Sequence, residues 1–220
     1  MSVLYNFPKA AEFGKMVAKS KIYEHTNPST KIRELFIKEV EKITWAYKLS
    51  PETINLPASD DVQEIQVFVI HLKNSTWSFE ILQTIDKAIP SPIIFMLCYN
   101  GRSCYVAAYK RPSESDKNRW VISSYFQSEW LNDSTEKTDL PIVLNMASLY
   151  HSFIKKLCPL NTIEGETLAG LVSRVDRLRV KERDAEKIES RIKKEKQFNR
   201  RVELNRSLNE LKQEIENLKR

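Results

Sequence analysis

Between about 30 and 49, Ile32, Leu35, Phe36, Val40, Ile43 and Tyr47 recur at helical spacing, which predicts one amphipathic helix. Ser29 or Thr30 can cap its start, and Ser50-Pro51 stops it. The period then changes. "EIQVFVIHL" (Glu64–Leu72) and "PIIFMLCY" (Pro92–Tyr99) are apolar on both faces and rich in β-branched residues, as interior strands are. Between them, Ile81, Leu82, Ile85, Ala88 and Ile89 return to helical spacing over Phe79–Ile89, and Pro90 ends that run. Asn100-Gly101 is a hairpin signal that reverses the chain into "SCYVAAYK". "RWVISSYF" (Arg119–Phe126) reads as a further strand and Val143–Leu157 as a closing helix. Strand–helix–strand implies a parallel crossover, and the hairpin adds antiparallel neighbours. The expected fold is α/β (or α+β): a mixed sheet with packed helices, followed by a long helical tail.

All four glycines and all nine prolines lie at or before Gly170, so the composition shifts near Pro159–Gly165. The expected division is a globular domain over 1–160 and a coiled-coil tail over 161–220. In the tail, Leu168, Leu171, Val175 and Leu178 form one heptad seam, and Leu204, Leu208, Leu211, Ile215 and Leu218 form a second. The two are out of register, and the mismatch falls in "KEKQFNRRVELN" (Lys194–Asn205). A single 50-residue helix would be roughly 75 Å long and would need its seams covered. A homo-oligomer, a partner's helix or a fold-back hairpin broken near Gln197–Asn199 would each do so. The lack of a Gly or Pro hinge places the fold-back last. The expected partner-binding residues are therefore Leu171, Val175, Leu178, Leu204, Leu208, Leu211, Ile215 and Leu218 of the seams, with Phe198 and Val202 as a second contact face.

Composition narrows the classes. With 41% apolar and 29% charged residues the chain suits a soluble globular protein. No run of about 18 apolar residues exists to span a membrane, and "MSVLYNFPKAAEF" lacks the pattern of a secretory signal, so a cytoplasmic location is expected. A two-residue turn at Asn100-Gly101 would set Cys98 opposite Ser103 and Cys104 opposite Leu97, on opposite faces of the ribbon, so free thiols are expected there and at Cys158. The net charge of +6 is uneven: Arg191–Arg206 alone contains seven basic and two acidic residues.

The chemistry-bearing patterns are sparse. His25, His71 and His151 are scattered, and neither CxxC nor a glycine-rich phosphate loop occurs, so no metal and no cofactor is expected. A metal-dependent nuclease would need carboxylates upstream of a strand ending in a catalytic lysine. Asp61, Glu64, His71 and Lys73 are the residues available for it, although His71 stands where a carboxylate belongs. For nucleic acid, Lys110, Arg111, Lys117 and Arg119 lie near Tyr109 and Trp120. The stronger group is Lys193, Lys194, Lys196, Arg200, Arg201 and Arg206 in the tail, suited to sequence-independent phosphate contact.

"SPETINLP", "EIQVFVIHLK", "AIPSPIIFML", "AYKR" and "KEKQFNRRVELN" together resemble the bacterial domain of unknown function 4391 family, over most of the chain. The resemblance carries no established activity and no catalytic residues. It implies an accessory role, because such proteins tend to be encoded beside helicases and DNA methyltransferases of restriction or phage-defence type. The sequence therefore favours a non-catalytic interaction subunit that assembles through its C-terminal helix. A divergent metal-dependent nuclease and passive DNA binding by the basic tail are the alternatives.

Overall fold

A computed structural model describes residues 4–113 and 120–220 of the chain. They form two compact units, Met1–Leu157 and Cys158–Arg220. The first contains β1 (Leu4–Asn6), β2 (Glu12–Met16), α1 (Lys19–Thr26), α2 (Thr30–Glu39), β3 (Val40–Leu49), α3 (Pro51–Ile54), β4 (Ile65–Leu72), α4 (Phe79–Ala88), β5 (Ile93–Tyr99), β6 (Arg102–Pro112), β7 (Trp120–Gln127), β8 (Leu131–Asn132), β9 (Lys137–Asp139) and α5 (Met146–Leu157). The second contains α6 (Leu168–Lys194) and α7 (Phe198–Lys219).

The main sheet is mixed, in the order β2-β3-β4-β5-β6-β7, with β8 paired to β6. Among the described residues, only β4 and β5 run parallel within it, joined by the α4 crossover; β1 and β9 make a separate parallel pair. Because alternate side chains leave a strand on opposite faces, Phe68, Ile70, Phe95, Leu97 and Val106 meet Ile22 of α1, Phe36 of α2 and Ile81, Leu82 and Ile85 of α4 in one core. On the other face, Tyr5 packs edge-on against Phe153 of α5 and at a tilt against Tyr105 of β6.

The expected helix over 30–49 is half right. It stops at Glu39, and Val40–Leu49 is strand β3. Register shifts between Val40 and Lys42 and between Trp45 and Tyr47 interrupt its alternation. A bulge inserts one extra residue into a strand, so the buried positions Val40 and Ile43 stand three apart and imitate a helical face. The β-branched and aromatic run from Val40 to Tyr47 is the feature that decides for strand. The Asn100-Gly101 hairpin forms in the expected register, Cys98 opposite Ser103 and Leu97 opposite Cys104, and the cysteines are free. Both turn residues have positive φ, 48° and 71°, which Asn and Gly tolerate. Of the strand expected over Arg119–Phe126, Arg119 lies outside the described residues.

Helix α4 is held at both ends by buried side chains of opposite charge. The Glu39 carboxylate accepts from the Ser78 backbone N–H at 2.7 Å and from its hydroxyl at 2.8 Å, at the helix N-terminus. At the C-terminus the Lys110 ammonium, 2 % exposed, donates to the carbonyls of Asp86, Ile89 and Ser91 and lies 3.5 Å from the Asp86 carboxylate. Both placements match the helix dipole. The irregularity in β6 between Ala108 and Lys110 is bridged by the Tyr150 hydroxyl, which accepts from Lys110 N and donates to Ala108 O.

In the second unit α6 and α7 form an antiparallel helical hairpin, the arrangement that the sequence placed last. Val175, Leu178 and Ala185 of α6 and Leu208 and Ile215 of α7 are buried, and Lys181–Glu214, Glu189–Lys212 and Glu182–Lys219 ion pairs cross between the helices. Two separate helices need no common register, which resolves the mismatch of the seams. The break needs no glycine, because Glu195 (φ −78°, ψ 127°) and Gln197 (φ −81°, ψ 122°) are simply extended. The Glu195 carboxylate caps the turn by accepting from Gln197 N at 2.8 Å.

Arg174 closes the base of the hairpin. Its guanidinium donates to both Glu166 oxygens at 2.8 Å, to Asn161 O at 2.7 Å and to Leu218 O at 2.8 Å. The hydrogen bonds from Arg174 hold the Glu166 carboxyl well below its usual range, at about 2. A depressed carboxylate contributes stability above its unfolded value, near 4.5, and loses it as pH falls toward 2. The melting temperature of Glu166→Gln should therefore lie below that of the unsubstituted chain at pH 6, and the gap should narrow steadily between pH 5 and pH 2.5. A gap independent of pH would show that the contact is not ionic.

Candidate functional site

Two surfaces carry chemistry, and each is described by itself. The first is a cleft of about 430 Å³ in the sheet domain, at the carboxyl ends of the parallel strands β4 and β5. That is the usual place for a ligand in an α/β sheet. Strand register sets His71, Cys98 and Ser103 side by side on one face, and Asp133 completes the row by accepting from Ser103 Oγ at 2.6 Å. The row resembles a nucleophile with its base, but its chemistry is different. Burial pushes the Cys98 thiol up, away from the thiolate that would react. Ser103 is fully buried, and its proton is committed to Asp133. Asp133 N in turn donates to Gly101 O at 2.9 Å, so the Ser103–Asp133 contact braces the hairpin turn.

The nuclease residues are not brought together. Glu64 precedes β4 and His71 is its penultimate residue, roughly 23 Å apart at strand rise. The Glu64 carboxylate pairs with Lys48 at 2.8 Å and accepts from Gln66 and Ser91. The Lys73 ammonium donates to Ile37 O at 2.7 Å, where it caps α2 together with Lys19. Asp61 lies in an exposed loop, close enough to act electrostatically on Tyr109 and His151. Among the described residues no cluster of three or more His, Cys, Asp or Glu side chains is placed to hold a metal ion. Of the basic group around Tyr109, Lys110 is buried under α4, and Lys117 and Arg119 lie outside the described residues.

The second surface is the tip of the hairpin, where Glu195–Gln197 joins α6 to α7. Of the ten expected partner-binding residues, Leu171, Val175, Leu178, Leu208 and Ile215 are buried and Leu204, Leu211 and Leu218 half-buried, so the seams are not open faces. Phe198 and Val202 are the exceptions, 76% and 52% exposed, one helical turn apart at the start of α7. Around them Arg191, Lys193, Lys194, Lys196, Arg200 and Arg201 are all exposed, and Glu195 is the one acid between Arg191 and Arg201. All six cations lie within about 5 Å of axial rise of the turn. Arg206, expected in the same group, instead pairs with Glu210 at 3.3 Å. Arg191 was missed because a linear count cannot show that α6 ends three residues later.

A family model described as "Domain of unknown function (DUF4391)" matches residues 5–215, nearly the whole chain. No curated protein and no solved structure matches it. Among the described residues no helix is long and apolar enough to cross a membrane.

Proposed function

The chain belongs to the Domain of unknown function (DUF4391) family, and from its geometry we propose a non-catalytic interaction subunit that engages its partner through the hairpin tip. The observation that carries this reading is the sorting of apolar residues in α6 and α7. The seams are spent on each other, whereas Phe198 and Val202 are left in solvent amid six cations. Val180 of α6 is also 45% exposed, but it stands alone, whereas Phe198 and Val202 form an adjacent pair with an aromatic ring, a contact waiting for its other half. The finer reading, an accessory role in a helicase- or methyltransferase-linked restriction or phage-defence assembly, is supported by the resemblance of the five sequence segments.

Replacing Phe198 by Ser and reversing Lys193, Lys194, Arg200 and Arg201 to Glu should leave the chain folded, with a full helical circular dichroism spectrum, since none of these side chains is buried. The same chain should no longer co-purify with the native assembly from its own cell. Undiminished co-elution with that assembly would overturn the assignment of the tip.

A further inference from the structure

We infer, resting on the reading of the tip as the contact surface, that its partner is a single strand of nucleic acid, with phosphates on the cations and a base stacked on Phe198. Charge pairing thins toward the end of the hairpin. In the shaft, Lys181, Lys187, Arg206, Lys212 and Lys219 each meet a carboxylate, while the exposed Arg183 donates to Arg179 O. At the tip, Arg191, Lys193, Lys194, Lys196, Arg200 and Arg201 make no side-chain hydrogen bond or ion pair among the described residues. Six unpaired like charges gathered around one turn repel one another and weaken the fold. Arg200 and Arg201 add to this by standing in the first turn of α7, the positive end of its dipole, with no acid there to offset them. A polyanion removes every one of these costs at once.

The apolar pair selects among polyanions. A membrane-surface helix needs an apolar stripe along its length, and below Val202 the apolar residues of α7, Leu204, Leu208, Leu211, Ile215 and Leu218, are half-buried or buried. A peptide of acidic residues alone would satisfy the arginines and leave the flat ring of Phe198 without a matching surface. A duplex has its bases already stacked. An unpaired strand alternates phosphates with free aromatic faces, and cations interleaved with one open aromatic ring match that alternation.

The full-length chain, titrated into a fluorescein-labelled oligothymidylate of about 16 nucleotides, tests this by anisotropy. If all six cations engage, log K should fall against log salt with a slope of up to about −4, near 0.7 per phosphate. Arg200→Gln with Arg201→Gln should reduce that slope by about 1.4. Phe198→Ala should weaken binding about tenfold at fixed salt and leave the slope alone. The two variants thus separate charge from stacking. Three results overturn the inference: no binding at 50 mM salt, a Phe198→Ala protein of unchanged affinity, or a duplex of equal length bound as tightly. If phosphatidylserine vesicles or a protein photocross-linked from position 199 require Phe198 while the oligonucleotide does not bind, the partner is wrong and the tip stands. If tip substitutions alter none of these interactions, both readings fall.

Discussion

Lys110→Met should lower the melting temperature of the sheet domain by roughly 10 °C. The side chain is fully buried, and methionine of similar length can fill its space, so packing is nearly conserved. What is lost is electrical. The C-terminal carbonyls of Asp86, Ile89 and Ser91 lose their donor, and the Asp86 carboxylate, 2 % exposed, keeps only the Tyr125 hydroxyl. Removing one partner of a buried ion pair costs about 3–5 kcal/mol, because the other charge is stranded. Burial already raises Asp86 to about 6 from an ordinary 3.8 despite the neighbouring ammonium. A carboxyl raised on folding is stabilised by protonation, so its cost is present above the folded value and relieved as pH falls toward the unfolded one. The deficit of Lys110→Met should therefore shrink between pH 8 and pH 5, as followed by thermal melts at each pH. A deficit constant with pH would mean that the damage is one of packing.

That network was invisible in the sequence for a definite reason. Lys110 sits beside Arg111 and reads as surface charge; only the irregularity in β6 and the arrival of α4 above it turn the ammonium inward. Glu39 was hidden in the same way, inside what reads as mid-helix. The elements whose signal is local were legible: β4, α4, β5 and the Asn100-Gly101 hairpin fall where period and turn chemistry place them. Strand β3 failed because bulges give a strand the three-residue spacing of a helix. The hairpin failed because its turn is made of ordinary residues in extended geometry, which leave no compositional mark. The tip was half legible. Phe198, Val202 and the basic run stand out in the sequence, but their exposure depends on the seams closing within one chain, which is a tertiary fact.

Whether the tip keeps its shape depends on the other end of the hairpin. Arg174 lies roughly 30 Å from the turn along α6, and its guanidinium joins the Glu166 carboxylate, Asn161 O and the last turn of α7 at Leu218 O. The remaining polar links between the helices, such as Lys212–Glu189 at 3.0 Å with side chains about half exposed, are surface pairs worth little each. Arg174→Ala removes four hydrogen bonds and leaves Glu166 without its cation, a loss of about 2–4 kcal/mol. Amides in the last two turns of α7 should then exchange about 30- to 1000-fold faster, since each 1.36 kcal/mol is a factor of ten. Amides near Leu208 should change less, because the buried seam still covers them. Glu166→Gln, which retains the carbonyl acceptors, should lose only part of this protection. Exchange unchanged throughout α7 would mean that the apolar seam alone closes the hairpin, and that Arg174 is a passenger rather than the clasp.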